Sequence, residues 1–302
     1  MMEIYDLIII GAGPAGITAA VYAARKRMNF LVLTGDIGGQ AAWSGDIENY
    51  TGYQFVTGPE LAQKFEEHMR QYDIPVKERE EVIDVRKPGE NILVKTNKAE
   101  YQAKAVIIAS GKRSKELNVP GEKEFKNRGL TYCATCDGPL FANKDVAVIG
   151  GGNSALDAGL QLIKIANKVY IVNNTERLGG EAVMRQKVET AGNVVIYNNS
   201  RVTAVLGGKF VNALKVLKES KEETIPVQGI FVEIGLIPNA GFIDSLEKNE
   251  RGEIKINARN ETSIPGIFAA GDVTDISEKQ IIIAAGEGSK ASLSAFHYLA
   301  QQ

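Results

Sequence analysis

The N-terminal part of the chain alternates short apolar runs with segments rich in glycine or alanine. Leu7–Ile10 is an apolar run that leads directly into the glycine-rich segment Gly11–Gly16. The alanine-rich segment Ile17–Arg25 favours a helix, and Phe30–Leu33 is a second apolar run. Short continuous apolar runs are typical of strands in a parallel sheet covered on both faces, so the pattern predicts strand, turn, helix and strand. This is the unit from which a Rossmann-type nucleotide-binding fold is built.

The same order of elements recurs near the middle of the chain. Asp145–Ile149 is an apolar run after its first residue, and Gly150–Ala155 is rich in glycine. Leu156–Ile165 then favours a helix, and Lys168–Val172 is again largely apolar. We therefore predict an α/β protein with two Rossmann-like nucleotide-binding domains, and a length of 302 residues agrees with about two domains.

The C-terminal third of the chain carries weaker signals. Gly266–Asp272 predicts a strand that ends in Gly271-Asp272, and Gly286–Leu299 predicts a closing helix. Leu206–Phe231 alternates more loosely and contains adjacent glycines, so we expect hairpin strands there.

Composition and charge exclude several classes of protein. The chain has 35 basic and 37 acidic residues, a net charge of −2, whereas binding to nucleic-acid phosphates needs a basic excess. No apolar stretch reaches the ~18 residues of a membrane-spanning helix, and the start Met1–Asp6 lacks the basic segment of a signal peptide. We therefore expect a cytoplasmic protein that binds neither nucleic acid nor a membrane.

The first glycine-rich turn has the spacing of a dinucleotide-binding motif. Gly11, Gly13 and Gly16 follow a predicted strand and open a predicted helix, where glycine lets the backbone approach a pyrophosphate closely. The helix N-terminus adds N–H donors for the phosphates. Near the other end of the chain, Asp272 stands at a strand end and can accept a hydrogen bond from a ribityl hydroxyl, which a flavin has and NAD lacks. Together the two features favour FAD.

The second glycine-rich turn predicts a nicotinamide coenzyme site. Gly150, Gly152 and Ala155 keep the motif, with the permitted alanine at its third position. The residue that binds the adenosine ribose should follow the next strand, where Asn173 stands. An acidic residue there would bind the 2′-hydroxyl of NADH, and an arginine cluster would bind the 2′-phosphate of NADPH. Asn173 is neither and Arg177 is a lone cation, so we expect NADH rather than NADPH and keep open a donor that is not a nicotinamide.

Both cysteines lie in one short segment. Cys133 and Cys136 are separated by two residues, a spacing that permits a small disulfide ring and suits thiol–disulfide exchange. A zinc site would need two further ligands and no other cysteine remains, so we predict no metal. Asp137 follows the pair directly and can exchange a proton with a thiolate, although a turn residue before Gly138 is an equal alternative.

The combination of these motifs resembles the low-molecular-weight thioredoxin reductase family over nearly the whole chain. The segments that carry the resemblance stand in the family's order: Gly11–Gly16, Gly38–Gln40, Glu48–Tyr50, Cys133–Gly138, Gly150–Ala155 and Gly271–Asp272. The C-terminal segment Lys279–Gly288 is more similar to the flavoprotein component of alkyl hydroperoxide reductase. That flavoprotein has an additional N-terminal disulfide domain that is absent from this sequence, so we expect the reductase alone.

The resemblance implies a domain arrangement, partners and residue roles. It implies an FAD-binding domain of residues 1–114 and 242–302, into which a nicotinamide-binding domain of residues 115–241 is inserted. It also implies a homodimer, a thioredoxin-like partner with a CxxC disulfide, and domain rotation about hinges at Gly111–Lys115 and Pro238–Gly241. In the family's scheme Cys136 would lie next to the flavin, Cys133 would attack the partner disulfide, and Asp137 would be the acid–base residue.

The resemblance also places the cofactor contacts on residues of this sequence. Those expected at FAD are Gly11, Gly13, Pro14, Ala15, Gly16, Thr34, Gly35, Gly39, Gln40, Asn49, Gly111, Gly271, Asp272, Lys279, Gln280 and Ile281. Those expected at the nicotinamide coenzyme are Gly150, Gly152, Asn153, Ser154, Ala155 and Asn173.

One part of the family pattern is missing. Members that use NADPH carry a His-Arg-Arg segment and a further arginine four residues on, where this chain has Asn173–Thr175 and Gly179. The hydroperoxide reductase relatives place an acid at the position of Asn173. We therefore predict an FAD-dependent thioredoxin-disulfide reductase and keep two alternatives, the same reductase supplied by reduced ferredoxin and a flavin-bound redox sensor. The intact turn Gly150–Ala155 argues against ferredoxin, and the acid beside the cysteine pair argues against a sensor.

Overall fold

The computed structural model describes residues 3–44, 46–47 and 49–302, without the side chains of Trp43, Asp46, Thr135 and Cys136. Two compact units make up the chain: a discontinuous unit, Met1–Arg113 with Ile237–Gln302, and an inserted unit, Ser114–Leu236. The divisions expected from the sequence lie at 114/115 and 241/242. The assignment of FAD to the discontinuous unit and of a nicotinamide to the inserted unit stays a prediction.

Helices and strands are numbered here in chain order. The helices are α1 (Pro14–Arg25), α2 (Gly58–Arg70), α3 (Glu122–Phe125), α4 (Ala134–Asp137), α5 (Asn153–Ile163), α6 (Ala182–Glu189) and α7 (Ile281–Leu299). The strands are β1 (Ile4–Ala12), β2 (Phe30–Ile37), β3 (Asp46–Ile47), β4 (Val56–Thr57), β5 (Val76–Lys77), β6 (Val82–Arg86), β7 (Ile92–Thr96), β8 (Glu100–Ile108), β9 (Lys112–Ser114), β10 (Leu130–Thr131), β11 (Asp145–Ile149), β12 (Lys168–Val172), β13 (Val194–Tyr197), β14 (Ser200–Gly207), β15 (Val211–Lys218), β16 (Lys221–Pro226), β17 (Gly229–Val232), β18 (Leu236–Pro238) and β19 (Ile267–Ala269). Within the described residues, no helix has the length and apolarity needed to cross a bilayer.

The sheet of the discontinuous unit is ordered β5-β2-β1-β8-β7-β6, and β19 pairs with β8. β1 runs parallel to both of its neighbours, with Ile9 opposite Val32 on one side and Ile107 on the other. These residues are fully buried because α1 and α7 cover one face of the sheet and the segment 240–273 packs on the other. The strands and the helix predicted between Leu7 and Leu33 are therefore present.

The inserted unit has a five-stranded parallel sheet, ordered β10-β17-β11-β12-β13, and a separate antiparallel sheet β14-β15-β16. β11 and β12 have the bounds predicted from the sequence. Hairpin strands are present within Leu206–Phe231, but the prediction was wrong for β17. That strand lies parallel to β11, with Phe231 opposite Val148, because its residues are apolar or glycine and all four are buried.

Helix α7 begins at Ile281, five residues before the predicted start at Gly286. The glycines lie inside the helix, and Gly288 has a packing role. A Cβ at Gly288 would overlap the carbonyl oxygen of Ala15 in α1. Glycine at this position therefore lets the two helices approach closely and does not mark a helix start.

The chain passes between the two units through β9 and β18, which pair with each other. Next to this pairing, the Asn239 N–H donates to the Gly111 carbonyl oxygen at 2.9 Å, within the discontinuous unit. The Lys115 N–H donates to the Gly235 carbonyl oxygen at 2.9 Å, within the inserted unit. The two connections are thus hydrogen-bonded neighbours along their length.

Candidate active site

The first glycine turn joins β1 to α1, and its glycines have steric reasons. Gly11 has φ of +101°, and a Cβ there would overlap the Ala109 carbonyl oxygen. A Cβ at Gly16 would overlap the Gly11 carbonyl oxygen, so α1 lies directly against the turn. Neither position accepts a side chain without movement of the backbone. The predicted motif is therefore built as a tight strand-to-helix turn.

Gly13, at the N-cap of α1, has a different environment. A Cβ at Gly13 would meet no atom within 4 Å. The helix has no side-chain cap and no acidic residue in its first turn, so its N-terminal N–H groups are left for an external acceptor. Gly39, also predicted at FAD, lies against this turn, since a Cβ on it would be 3.3 Å from the Gly13 Cα. Open space and unpaired donors in one place fit a pyrophosphate.

Asp272 lies beside this turn, after β19. Gly271 has φ of +75°, and a Cβ on it would lie 3.0 Å from the Ala15 Cβ of α1. Burial raises the pKa of the Asp272 carboxyl, and the charges of Lys279 and Lys112 oppose that rise. Among the residues that the structure describes, none donates a hydrogen bond to this carboxylate. A half-buried acceptor without a donor fits a ligand hydroxyl, as the sequence predicted for the ribityl chain.

Several other residues predicted at FAD lie around the same edge of the sheet. Asn49 Nδ2 donates to Gln280 Oε1 at 3.1 Å, which ties the loop after β3 to the start of α7. Thr34 is buried at the carboxyl end of β2, and its hydroxyl donates to the Asp36 carbonyl oxygen. The remaining predicted residues of this set occupy the same turns and termini: Pro14, Gly35, Gln40, Gly111 and Ile281. Their contacts with FAD stay predictions.

Lys279 belongs to a buried ion cluster next to Asp272. Its ammonium donates to the Thr274 carbonyl oxygen and lies 3.2 Å from the Glu253 carboxylate, to which Lys112 donates at 2.8 Å. Burial raises the pKa of Glu253, but hydrogen bonds from Lys112, Asn249 and Lys279 lower it further, to about 2. The side chain of Glu253 is 5% exposed. One carboxylate thus balances two ammonium groups inside the discontinuous unit.

We expect Glu253→Ala to destabilise the protein by about 3–5 kcal/mol at pH 7, because Lys112 and Lys279 are left buried without a counter-charge. The carboxylate stabilises the fold fully above its unfolded pKa of about 4.5, and this contribution is lost as the pH falls from there towards 2. Urea unfolding at pH 7 and pH 3 should therefore show a mutant deficit that shrinks at pH 3. The exposed Glu250→Ala is the control, and a similar deficit in that variant would contradict the assignment.

The second glycine turn joins β11 to α5 and repeats this geometry in the inserted unit. Gly150 has φ of +137°, and a Cβ on it would overlap the Glu233 carbonyl oxygen and lie 3.1 Å from the Ala155 Cβ. A Cβ at Gly152, the N-cap of α5, would meet no atom within 4 Å. This helix also lacks a side-chain cap and a first-turn acid. The turn therefore fits a second pyrophosphate, and Ser154 lies exposed in the first turn of the helix.

Asn173 follows β12 as predicted, but its side chain is fully engaged within the protein. It is 2% exposed. Its amide nitrogen donates to the Thr175 carbonyl oxygen and to Asn198 Oδ1, each at 3.1 Å, and its Oδ1 accepts the Thr175 hydroxyl at 2.9 Å. Asn173 thus fixes the shape of the loop after β12.

The loop after β12 also contacts the second glycine turn. The Gly179 N–H donates to the Gly151 carbonyl oxygen at 2.7 Å, and the Glu181 N–H donates to Asn153 Oδ1 at 2.8 Å. Asn153, predicted as a cofactor contact, therefore also positions this loop. Arg177 is exposed, and where NADPH-using relatives carry arginines this loop holds uncharged residues.

The cysteine segment lies on the turn before α4 and on the helix itself. Cys133 is disulfide-bonded. Its N–H donates to the Thr131 hydroxyl at 3.2 Å, and the same hydroxyl donates to the Asp137 carboxylate. The Asp137 N–H returns to the Cys133 carbonyl oxygen at 3.2 Å. The Cys136 side chain lies outside the described residues, so its predicted place beside the flavin stays a prediction.

Thr131 was not singled out from the sequence. It ends β10 and is 6% exposed, and its hydroxyl links the first cysteine to the acid that follows the pair. A threonine two residues before a Cys-x-x-Cys-Asp segment is the only sequence signal for this role. Its bond to Asp137 holds the carboxylate next to the cysteine turn, which favours an acid–base role over that of a simple turn residue.

Comparisons with known proteins agree with this site. A family model described as pyridine nucleotide-disulphide oxidoreductase matches residues 5–288. The alkyl hydroperoxide reductase flavoprotein of Pseudomonas putida is 43% identical over 304 residues, 98% of this chain and 58% of that protein. This chain therefore spans a little more than half the length of that relative.

Two solved structures are similar over nearly their whole length. Thioredoxin reductase of Lactococcus lactis superposes with a TM-score of 0.88 at 34% identity, covering 99% of this chain and 100% of that one. Thioredoxin reductase of T. acidophilum superposes with a TM-score of 0.85 at 37% identity, covering 97% and 98%.

Proposed function

Because the chain belongs to the pyridine nucleotide-disulphide oxidoreductase family, we propose that it is a thioredoxin-disulfide reductase. It would pass two electrons from a nicotinamide coenzyme, through bound FAD and the Cys133–Cys136 disulfide, to the disulfide of a thioredoxin-like protein. The observation that carries this proposal is the disulfide-bonded Cys133, joined through Thr131 to Asp137.

The family match and the solved thioredoxin reductases confirm two expectations from the sequence. The α/β fold with two Rossmann-like domains is one, and the resemblance to low-molecular-weight thioredoxin reductases and to the alkyl hydroperoxide reductase flavoprotein is the other. They also support a flavin-dependent disulfide oxidoreductase, and family membership implies a flavin and a nicotinamide coenzyme.

Residues of the chain supply binding and proton transfer. FAD, when bound, supplies the two-electron chemistry. The first glycine turn would hold its pyrophosphate and Asp272 a ribityl hydroxyl, since both offer unpaired groups of the right kind. In the inserted unit, Cys133 would attack the partner disulfide as a thiolate, and Asp137 would exchange a proton with the thiol pair.

The loop after β12 bears on the electron donor. Asn173 has no free polar group for a ribose, and the exposed loop residues present no arginine cluster for a 2′-phosphate. NADH is therefore the proposed donor in preference to NADPH. The open N-terminus of α5 supports a dinucleotide donor over ferredoxin.

The solved relatives named thioredoxin reductases support a thioredoxin-like partner. A homodimer and a cytoplasmic location are further parts of the proposal. They rest on likeness to the family and on the sparing use of cysteine, which is typical of reducing compartments.

An anaerobic absorbance titration tests the proposal. The purified protein should be yellow, and stoichiometric NADH should bleach the flavin band more readily than NADPH. Subsequent addition of an oxidised thioredoxin-type protein should restore the colour. Bleaching by NADPH alone would overturn the choice of donor, and bleaching only by reduced ferredoxin would replace the nicotinamide. No bleaching by any donor would favour a redox sensor.

A further inference from the structure

We infer that Glu233 is a positioning residue for the redox disulfide, and that its carboxyl binds a proton when Cys133 becomes a thiolate. The inference deepens the proposed function, on which it rests for the source of electrons. Its test uses a chemical reductant and needs neither flavin nor partner, so it can fail or succeed independently.

The backbone fixes Glu233 next to both functional turns of the inserted unit. It directly follows β17, and its N–H donates to the Ile149 carbonyl oxygen at 2.7 Å. Its own carbonyl oxygen lies against Gly150. Its carboxylate accepts a hydrogen bond from the backbone N–H of Ala134, the residue after Cys133 and the first residue of α4. The acidic group therefore lies at the start of the short helix that carries the cysteines.

The surroundings of Glu233 make it a proton-binding group near neutral pH. Burial raises its pKa, the Ala134 hydrogen bond lowers it, and the charge of Asp157 on α5 raises it again, to about 7 in sum. Within the described residues, no lysine or arginine forms an ion pair with it. The carboxylate of Asp137, on α4 itself, is bonded to Thr131. Glu233 thus changes charge in the range in which thiols begin to ionise.

Reduction places a new charge close to this carboxyl. Two electrons, from reduced flavin under the proposed function, break the S–S bond and leave two sulfurs that take up two protons in total to become thiols. A thiolate at Cys133 and an ionised Glu233 repel each other, since they flank the same peptide group. The pair is therefore most stable with one negative charge, either as a thiolate beside a protonated Glu233 or as a thiol beside its carboxylate. At neutral pH a protonated Glu233 leaves the nucleophilic thiolate in place.

The variant Glu233→Gln separates charge from shape. Glutamine keeps an oxygen that can accept the Ala134 N–H but stays neutral at all pH values. It should therefore mimic protonated Glu233 permanently. We expect the Cys133 thiol pKa to fall, so that thiolate is about tenfold more abundant at pH 8 than in the wild type, as for removal of about one unit of like-charge repulsion.

The measurement is the rate of iodoacetamide alkylation at Cys133 between pH 5 and pH 10, after reduction with dithiothreitol, followed by peptide mass spectrometry. The wild type should show an inflection near pH 7 in addition to that of the thiol. Glu233→Gln should lose this inflection and react about tenfold faster at pH 8, and Glu233→Asp, which keeps an ionisable group, should retain it. The matched control is the exposed Glu124→Gln in the same unit.

A profile of Glu233→Gln within about twofold of the wild type at every pH would overturn the inference. So would an equal change in Glu124→Gln, because the effect would then be a general response to charge. Should Glu233→Gln fail to fold, the comparison of Glu233→Asp with Asp157→Asn decides the matter. Asp157→Asn removes a neighbouring negative charge, so it must move the inflection to lower pH.

Discussion

Cys133→Ser should abolish disulfide turnover while leaving reduction of the bound flavin intact. Serine is nearly the same size as cysteine, but its hydroxyl is far too weak a nucleophile at neutral pH to attack a disulfide. Loss of an essential nucleophile commonly lowers turnover by several orders of magnitude, and we expect at least about 10⁴-fold. The Thr131–Asp137 hydrogen bond does not involve the Cys133 sulfur, so the local geometry should survive.

Two anaerobic measurements on the same preparation check this expectation. Bleaching of the flavin by NADH follows the first half-reaction, and reduction of a thioredoxin-type protein follows the complete cycle. Cys133→Ala should behave like the serine variant, because both remove the sulfur. Full turnover in either variant would assign the attack on the partner to a different group.

Two alanine substitutions should separate the two coenzymes. Gly13→Ala is expected to deplete bound flavin, and Gly152→Ala is expected to raise the KM for the nicotinamide coenzyme without loss of flavin. At each N-cap a Cβ meets no protein atom within 4 Å and φ is negative, so the fold should tolerate alanine. The methyl group instead enters the space of the pyrophosphate, and we expect affinity to fall by about a hundredfold, or about 3 kcal/mol.

Flavin content per chain and the KM for NADH measure these effects. Gly89→Ala and Gly192→Ala are matched controls, because a Cβ at those glycines also meets no atom within 4 Å and neither glycine has positive φ. Both controls should retain flavin and an unchanged KM. Loss of flavin in Gly152→Ala, with retention in Gly13→Ala, would mean that the coenzymes have been assigned to the wrong turns.

The parts of the fold that depend on local pattern were predictable from the sequence. β11 and β12 have their expected bounds, because a run buried on both faces is apolar throughout and ends where glycine or polar residues begin. The same logic failed for β17. Its four residues carry no information about which strand they will pair with, and that choice depends on distant β11.

The candidate site was predictable only where its residues belong to a motif. Cys133 and Asp137 stand in a recognisable segment, whereas Thr131 and Glu233 are separated along the chain and meet α4 only after folding. A single threonine or glutamate has many structural uses, so neither residue type indicates a role by itself. Asn173 was placed correctly at the end of β12, but that its amide is used up inside the protein followed only from the contacts.

The internal bonding of Asn173 has a consequence for how this protein could change its electron source during evolution. A loop whose curvature is held by a concealed amide does not depend on the ligand for its shape. Exposed positions such as Asn174 and Arg177 can therefore exchange charge freely, since their backbone path is already determined. Lineages could acquire or lose a preference for one dinucleotide through surface replacements, with the framework inherited unaltered.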